Sequence, residues 1–262
     1  MLALSTDSLH GYGLNRVFEF VKNAGYDGID LVMEEKNFDT LDPDYVKKLC
    51  DEYKVPVLSI QMGDATPKKL KQTLDMAKAV GCKVIIIQPP NILNVGQTSW
   101  LRNEVPKIRA KENISIALEN AAADYILGFI PKHAMNNIVE LKKFKHACID
   151  TTRIALKKQD LIRVYRSIQK YLVHVHLSNV KGSKGYALPD DGILPLESFL
   201  TKMRQDNFPG TVSMKINPKY LDAGDDKKVL RHLEDMKKYY ETYFVHPAMM
   251  DATESSESPD NG

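Results

Sequence analysis

Eight short apolar runs recur along the chain, each separated from the next by a longer stretch of helical periodicity. That alternation restricts the chain to βαβ units closing on a parallel sheet. The runs are Leu2 to Ser5, Gly28 to Met33, Val55 to Met62, Lys83 to Gln88, Ile114 to Glu119, Ala147 to Asp150, Val173 to Leu177 and Thr211 to Ile216. Some, such as Val84-Ile85-Ile86-Ile87, are apolar throughout, as strands buried on both faces require. With 262 residues, 43% of them hydrophobic, the chain has the size of a one-domain α/β barrel, which commonly runs about 250 residues. A single (β/α)8 barrel over residues 1–245 is therefore predicted.

The intervening segments carry helix punctuation. Asp42-Pro43 and Thr66-Pro67 place a capping side chain before a proline at the first helical position. Leu70, Leu74, Ala77 and Val80 mark the inward face of one helix, and Val229, Leu233, Met236, Tyr240 and Tyr243 that of the last. Gly25, Gly81 and Gly210 fall just before strands, at helix exits or tight turns. Residues 246–262 are rich in Ser, Asp, Glu and Pro and read as an acidic, disordered tail.

Composition excludes several function classes. The net charge is +2, with Lys and Arg spread along the chain, which argues against a nucleic-acid or anionic-membrane partner. Cys50, Cys82 and Cys148 have neither zinc-knuckle nor redox spacing and read as small buried hydrophobes. No run reaches the ~18 apolar residues of a membrane span, and the N-terminus lacks a secretion-signal pattern. The expected compartment is a reducing cytoplasm. Oligomeric state is open.

In a barrel of this kind, chemistry sits where strands end and the following loops begin. The polar residues closing the runs are Gln61, Gln88, Glu119 with Asn120, and Asp150; strand seven carries His174 and His176, and strand eight carries Lys215. Two carboxylates and an imidazole at adjacent strand ends can chelate a divalent cation, although strand-end acids also form plain salt bridges.

The segment Ala24-Gly25-Tyr26-Asp27-Gly28-Ile29-Asp30-Leu31 resembles the strand-two entry of the xylose isomerase-like TIM barrel superfamily, which includes sugar isomerases, epimerases and family 2 AP endonucleases. Ala117-Leu118-Glu119-Asn120 is similar to its strand-five metal segment and Ile149-Asp150-Thr151 to its strand-six segment. Val173-His174-Val175-His176-Leu177-Ser178-Asn179 resembles the strand-seven motif, in which the second His is a ligand. Asp191-Gly192-Ile193-Leu194-Pro195-Leu196-Glu197 resembles the stretch before the seventh helix, and the motifs occur in order over residues 1–243. The resemblance implies one divalent metal (Mn, Mg or Zn) on Glu119, Asp150, His176 and a second Glu. It also implies a sugar or sugar phosphate as substrate, and carboxylates that move a proton between neighbouring carbons.

Two positions depart from that pattern. The strand-eight Glu is Lys215, and the His expected three residues beyond the strand-six Asp is Arg153. An ammonium beside a divalent ion is strongly repelled in a partly desolvated pocket. Either Lys215 turns away or the metal is absent; an inward-facing Lys215 is expected to sit where the metal would and to pair with Glu119 and Asp150 without an ion. The endonuclease branch also needs histidines where this chain has Gln88 and Tyr186-Ala187-Leu188, so the nuclease reading loses most of its ligands.

Two function classes follow. One is an isomerase or epimerase with Glu119, Asp150 and Lys215 as catalytic residues and Gln61, Gln88, Asn120, Arg153 and Lys181 binding substrate. The other is a catalytically degenerate barrel, a binding or scaffold protein in which Lys215, Glu119, Asp150 and Arg153 form a static ion-pair network. Simpler readings stand beside these. His174 is expected as a core histidine, Asp30 as a tie from strand two to a loop, and Glu34 and Glu35 as solvent-facing. Lys181, Lys184 and Lys219 are either solvated surface or a phosphate pocket in the loops after strands seven and eight.

Overall fold

The computed structural model describes residues 1–122, 124–182 and 184–245; the acidic tail expected at 246–262 lies outside them. Eight strands form the barrel: β1 (Leu2–Ser5), β2 (Gly28–Val32), β3 (Val57–Asp64), β4 (Val84–Gln88), β5 (Ser115–Glu119), β6 (Ala147–Asp150), β7 (Leu172–Leu177) and β8 (Thr211–Met214). All neighbouring pairs are parallel, and β8 closes the ring against β1. The helices are α1 (Leu14–Asn23), α2 (Pro43–Tyr53), α3 (Pro67–Val80), α4 (Val95–Asn103), α5 (Val105–Glu112), α6 (Ile138–Phe144), α7 (Thr151–Leu156), α8 (Leu161–Ile168), α9 (Leu196–Gln205) and α10 (Asp226–Tyr240). No helix among the described residues is long and apolar enough to cross a membrane.

The strand period of two divides the residues between two environments. Leu4, Leu31, Ile60, Ile85, Ile87, Leu118, Ile149, Val175 and Met214 belong to one continuous apolar cluster that includes the helices. The opposite face lines the barrel interior, where Ile86, Ala117 and Cys148 form a small separate apolar cluster. Most of the remaining interior is polar: Ser5, Asp30, Ser59, Gln61, Glu119, Asp150, His174, His176 and Ser213 are all buried. Register sets these residues side by side, pairing Ser5 with Asp30, Asp30 with Ser59, Asp150 with His176 and His176 with Ser213.

The helix punctuation appears as expected. The Asp42 carboxylate accepts from the Asp44 and Tyr45 amides, and the Thr66 hydroxyl accepts from Lys69. Leu70, Leu74, Ala77, Val229, Leu233, Met236 and Tyr240 are buried, whereas Val80 and Tyr243 are half-buried. Strand eight is shorter than the apolar run, so Lys215 and Ile216 lie just beyond it; the Lys215 amide still donates to Leu177 O at 3.1 Å. Two small hairpins decorate the mouth. Tyr125–Ile126 pairs with Ile130–Pro131, and Asn179–Lys181 pairs with Lys184–Ala187.

Gly25 and Gly81 take left-handed φ values of 70° and 72°, the conformation that favours glycine. Gly210 is required for a different reason, because a Cβ there would stand 2.3 Å from the backbone oxygen of Val173. Gly210→Ala is therefore expected to lower stability by about 1–3 kcal/mol, since backbone cannot yield as a side chain can. An unchanged urea midpoint would contradict this packing.

Candidate functional site

A cavity of about 470 Å³ opens at the C-terminal end of the barrel. Polar Gln61, Gln88, Glu119, Arg153, Tyr186 and Lys215 and apolar Val32, Met33, Ile86, Ile216 and Pro218 are among the residues that line it. Each polar group comes from a different strand end or the loop after it, so closure of the ring brings together residues far apart in sequence.

Beneath the cavity, His176 joins two acids. Its Nδ1 is 2.5 Å from Glu119 Oε1 and its Nε2 is 3.1 Å from Asp30 Oδ2. Ionised carboxylates only accept, so both ring nitrogens donate and the imidazole is protonated. Burial opposes that charge, yet the flanking carboxylates outweigh it and hold the His176 pKa well above its ordinary value. Burial likewise opposes ionisation of Glu119, but Arg153, Lys215 and His176 keep it well below the usual carboxylate range. For Asp30, burial is outweighed by His176 and the Ser59 hydroxyl. Asp30 also accepts from Ser59 Oγ at 2.7 Å, Gln61 Nε2 at 2.5 Å and Ser213 Oγ at 3.0 Å. It ties β2 to β3, β7 and β8, and not to a loop as the sequence reading expected.

Arg153, not Lys215, pairs with the strand-end acids. Its Nη1 is 2.5 Å from Glu119 Oε2 and its Nε is 3.3 Å from Asp150 Oδ2. Asp150 is the N-cap of α7 and accepts from the Arg153 amide at 3.0 Å, so the first helical turn delivers the guanidinium between the two carboxylates. Lys215 instead donates to the neutral Gln61 Oε1 at 2.7 Å, and no carboxylate lies within ion-pair distance of its nitrogen among the described residues. The expected Lys215 bridge to Glu119 and Asp150 is thus corrected: the shorter route from α7 wins.

This donor set does not fit the metal implied by the resemblance. A fixed guanidinium holds Glu119 and Asp150, and Lys215 stands at the fourth position. Three other sets each bring one ligand atom per residue within 4.8 Å of one another: Asp30, His174 and His176; Glu119, Cys148 and His176; and Asp7, His10 and Glu34. Asp150 belongs to none of them among the described residues. Burial raises the Cys148 thiol to about 11, which disfavours the thiolate a metal needs.

The remaining expected residues divide. Gln61 and Gln88 line the cavity. Asn120 faces the scaffold, where its amide donates to Asp150 O and accepts from Asp150 N. Lys181 is exposed and paired with Asp191 at 2.7 Å, away from the cavity lining, and the Lys219 ammonium lies over the Tyr220 ring. Lys184 is exposed as well, and none of the three lysines is among the residues that line the cavity. Tyr186, which sequence reasoning registered only as a missing histidine, reaches Asp150 Oδ2 at 3.2 Å and Arg153 Nε at 3.3 Å. Burial and Asp150 raise its pKa, so it enters the cavity as a neutral phenol.

Replacing Arg153 by Met leaves two buried carboxylates short of a cation and is expected to cost about 3–5 kcal/mol. Lys215→Met removes one hydrogen bond to a neutral amide and is expected to cost about 1 kcal/mol. Equal losses in paired denaturation curves would contradict this assignment. Stability also depends on pH. Asp30 and Glu119 have folded pKa values below their unfolded ones, so the stability they add is complete above about pH 5 and falls with further acidification. Burial pushes His174 down to about 3, so from about pH 6.5 downward the unfolded chain takes up a proton that the folded chain refuses. The contribution of His176 runs the other way, complete below about pH 6.5 and lost only as pH rises through its raised folded value. The denaturant midpoint is expected to fall steadily between pH 6.5 and 3, and a flat profile would argue against the buried ionic network.

Comparison with known proteins places the chain in a family. An uncharacterised protein of Mycobacterium leprae is 22% identical over 276 residues, spanning 93% of this chain and 98% of that one. The 3-keto-D-glucoside 4-epimerase YcjR of E. coli superposes with a TM-score of 0.70 at 14% identity, covering 90% of this chain and 98% of the epimerase. IolI, solved with a bound zinc atom, superposes with a TM-score of 0.72 at 13% identity, covering 94% of this chain and 99% of IolI. At such identities the superpositions establish the fold alone. The family model of the xylose isomerase-like TIM barrel matches residues 18–236, and the chain belongs to that family.

Proposed function

We propose that the barrel mouth binds a small unphosphorylated sugar or polyol, and that it does so without the metal-assisted proton transfer implied by the family resemblance. The observation that carries this reading is the guanidinium of Arg153 between Glu119 and Asp150. Those carboxylates would have to shuttle the proton. Glu119 is tied to Arg153 and His176 and held well below the usual range, which makes it a poor base near neutral pH. The cavity nevertheless suits a polyol. Amide, phenol, ammonium and guanidinium groups line it together with apolar side chains, and its volume of about 470 Å³ is within the usual range of small-ligand sites. The epimerase among the structural neighbours acts on a sugar derivative, which supports the ligand class.

A second reading is favoured by Lys215. Its ammonium lines the cavity with a neutral partner, so it retains donors for a carbonyl or enolate oxygen and can act as the electrophile in metal-free proton transfer.

The two readings separate in deuterated solvent. A panel of ketoses, aldoses and their phosphates is titrated by calorimetry, and solvent deuterium at carbon next to the carbonyl is read by mass spectrometry. The expected result is binding of at least one free sugar, no gain from phosphorylation, no dependence on added Mn²⁺ or Mg²⁺, at least tenfold weaker binding in Lys215→Met, and no deuterium uptake. Metal-independent uptake lost in Lys215→Met would establish the second reading, whereas Mn²⁺-dependent uptake would overturn both.

A further inference from the structure

His174 is fully buried, and neither of its ring nitrogens has a hydrogen-bond partner. Buried polar atoms are ordinarily satisfied, and an orphaned one asks for an ion or water. Its surroundings favour an ion. Nε2 of His174 lies 3.9 Å from Asp30 Oδ2, and Nε2 of His176 lies 3.1 Å from the same oxygen. Ligands about 2.0–2.2 Å from a tetrahedral ion stand roughly 3.3–3.6 Å apart, and the observed 3.1 and 3.9 Å bracket that edge.

The chain builds this arrangement from two sides. His-Val-His spacing on β7 aims both imidazoles into the barrel, with ring centroids 4.8 Å apart, while Asp30 reaches in from β2. Supporting contacts are in place as well. Glu119 Oε1 stands 2.5 Å from His176 Nδ1, the carboxylate–imidazole order that fixes the tautomer of a metal-bound histidine, and Ser59 and Ser213 hold Asp30.

The geometry points to a site for one divalent cation of the zinc class, held by Asp30, His174 and His176 inside the barrel. Two imidazoles and one carboxylate select a borderline metal over Mg²⁺ or Ca²⁺. The site shares His176 with the family position but lies deeper in the barrel on Asp30 and His174, and it uses neither Asp150 nor the strand-eight residue. The ion replaces the proton on His176 Nε2, so binding releases that proton and adds one unit of charge. The Lys215 ammonium, directed at Gln61, is not a ligand. This inference goes beyond the sugar-binding reading and stands whether or not a sugar binds.

The test uses the full chain, stripped of metal by dialysis and titrated with Zn²⁺ and Co²⁺. The expected result is one equivalent bound per chain, the intense visible absorption of tetrahedral Co²⁺, and at least tenfold weaker binding in His174→Gln with unchanged circular dichroism. Asp150→Asn and His10→Ala, which address the family position and the Asp7–His10–Glu34 set, are expected to bind normally. Failure of the wild type to bind stoichiometrically, equal binding by His174→Gln, or loss of binding in either control overturns the assignment. Should His174→Gln not fold, histidine ¹⁵N shifts of the wild type decide: two imidazoles perturbed by Zn²⁺ support the site, and one or none overturns it.

Discussion

The imidazolium of His176, clamped between Asp30 and Glu119, is the interaction on which the rest of the interior depends. A barrel core is ordinarily filled by branched apolar side chains. Here Ile86, Ala117 and Cys148 are a small apolar remnant, and much of the remaining space holds polar and charged groups. Such a core is tolerable only when its charges balance. Asp30, Glu119 and Asp150 are met by Arg153, Lys215 and the protonated His176, and the serines and Gln61 supply the remaining hydrogen bonds. Loss of Arg153 or of the His176 charge strands the acids it meets, because an uncompensated buried charge costs far more than a matched pair contributes.

That balance explains the difference between the two cations. Arg153 leaves the first turn of α7 next to its own N-cap, so the backbone has already oriented it, and its planar fork serves two acids together. Lys215 comes from the chain just past β8 and finds an amide oxygen. Its charge still reaches Glu119 through the low-dielectric interior without direct contact.

Much of the fold was legible from periodicity and punctuation. Apolar runs such as Val84 to Ile87 could hardly be anything but buried strands, and the Asp42-Pro43 and Thr66-Pro67 pairs mark helix starts that the structure confirms to the residue. Strand ends identified Glu119, Asp150, His176, Gln61 and Gln88 as inward residues because position on a barrel strand is local information. Partner choice is not local. Whether Glu119 meets position 153 or position 215 depends on side-chain reach across a closed ring, and no spacing rule encodes it. Asp30 was visible inside its strand, but its role emerges only when β3, β7 and β8 surround it. Tyr186 carries no periodic signal. It sits in a hairpin with a left-handed φ of 60° and returns to the mouth through backbone pairing with Asn179–Lys181.

A cation that belongs to the polypeptide behaves unlike one borrowed from solution. The charge Arg153 places between Glu119 and Asp150 is present from the moment the chain folds, at a concentration no chelator or competing ligand can alter. The position between Glu119 and Asp150 is therefore insulated from the metal supply of its surroundings. Its polarity also cannot be switched by exchanging one ion for another, so any new chemistry at this position has to arise by substitution in the chain itself.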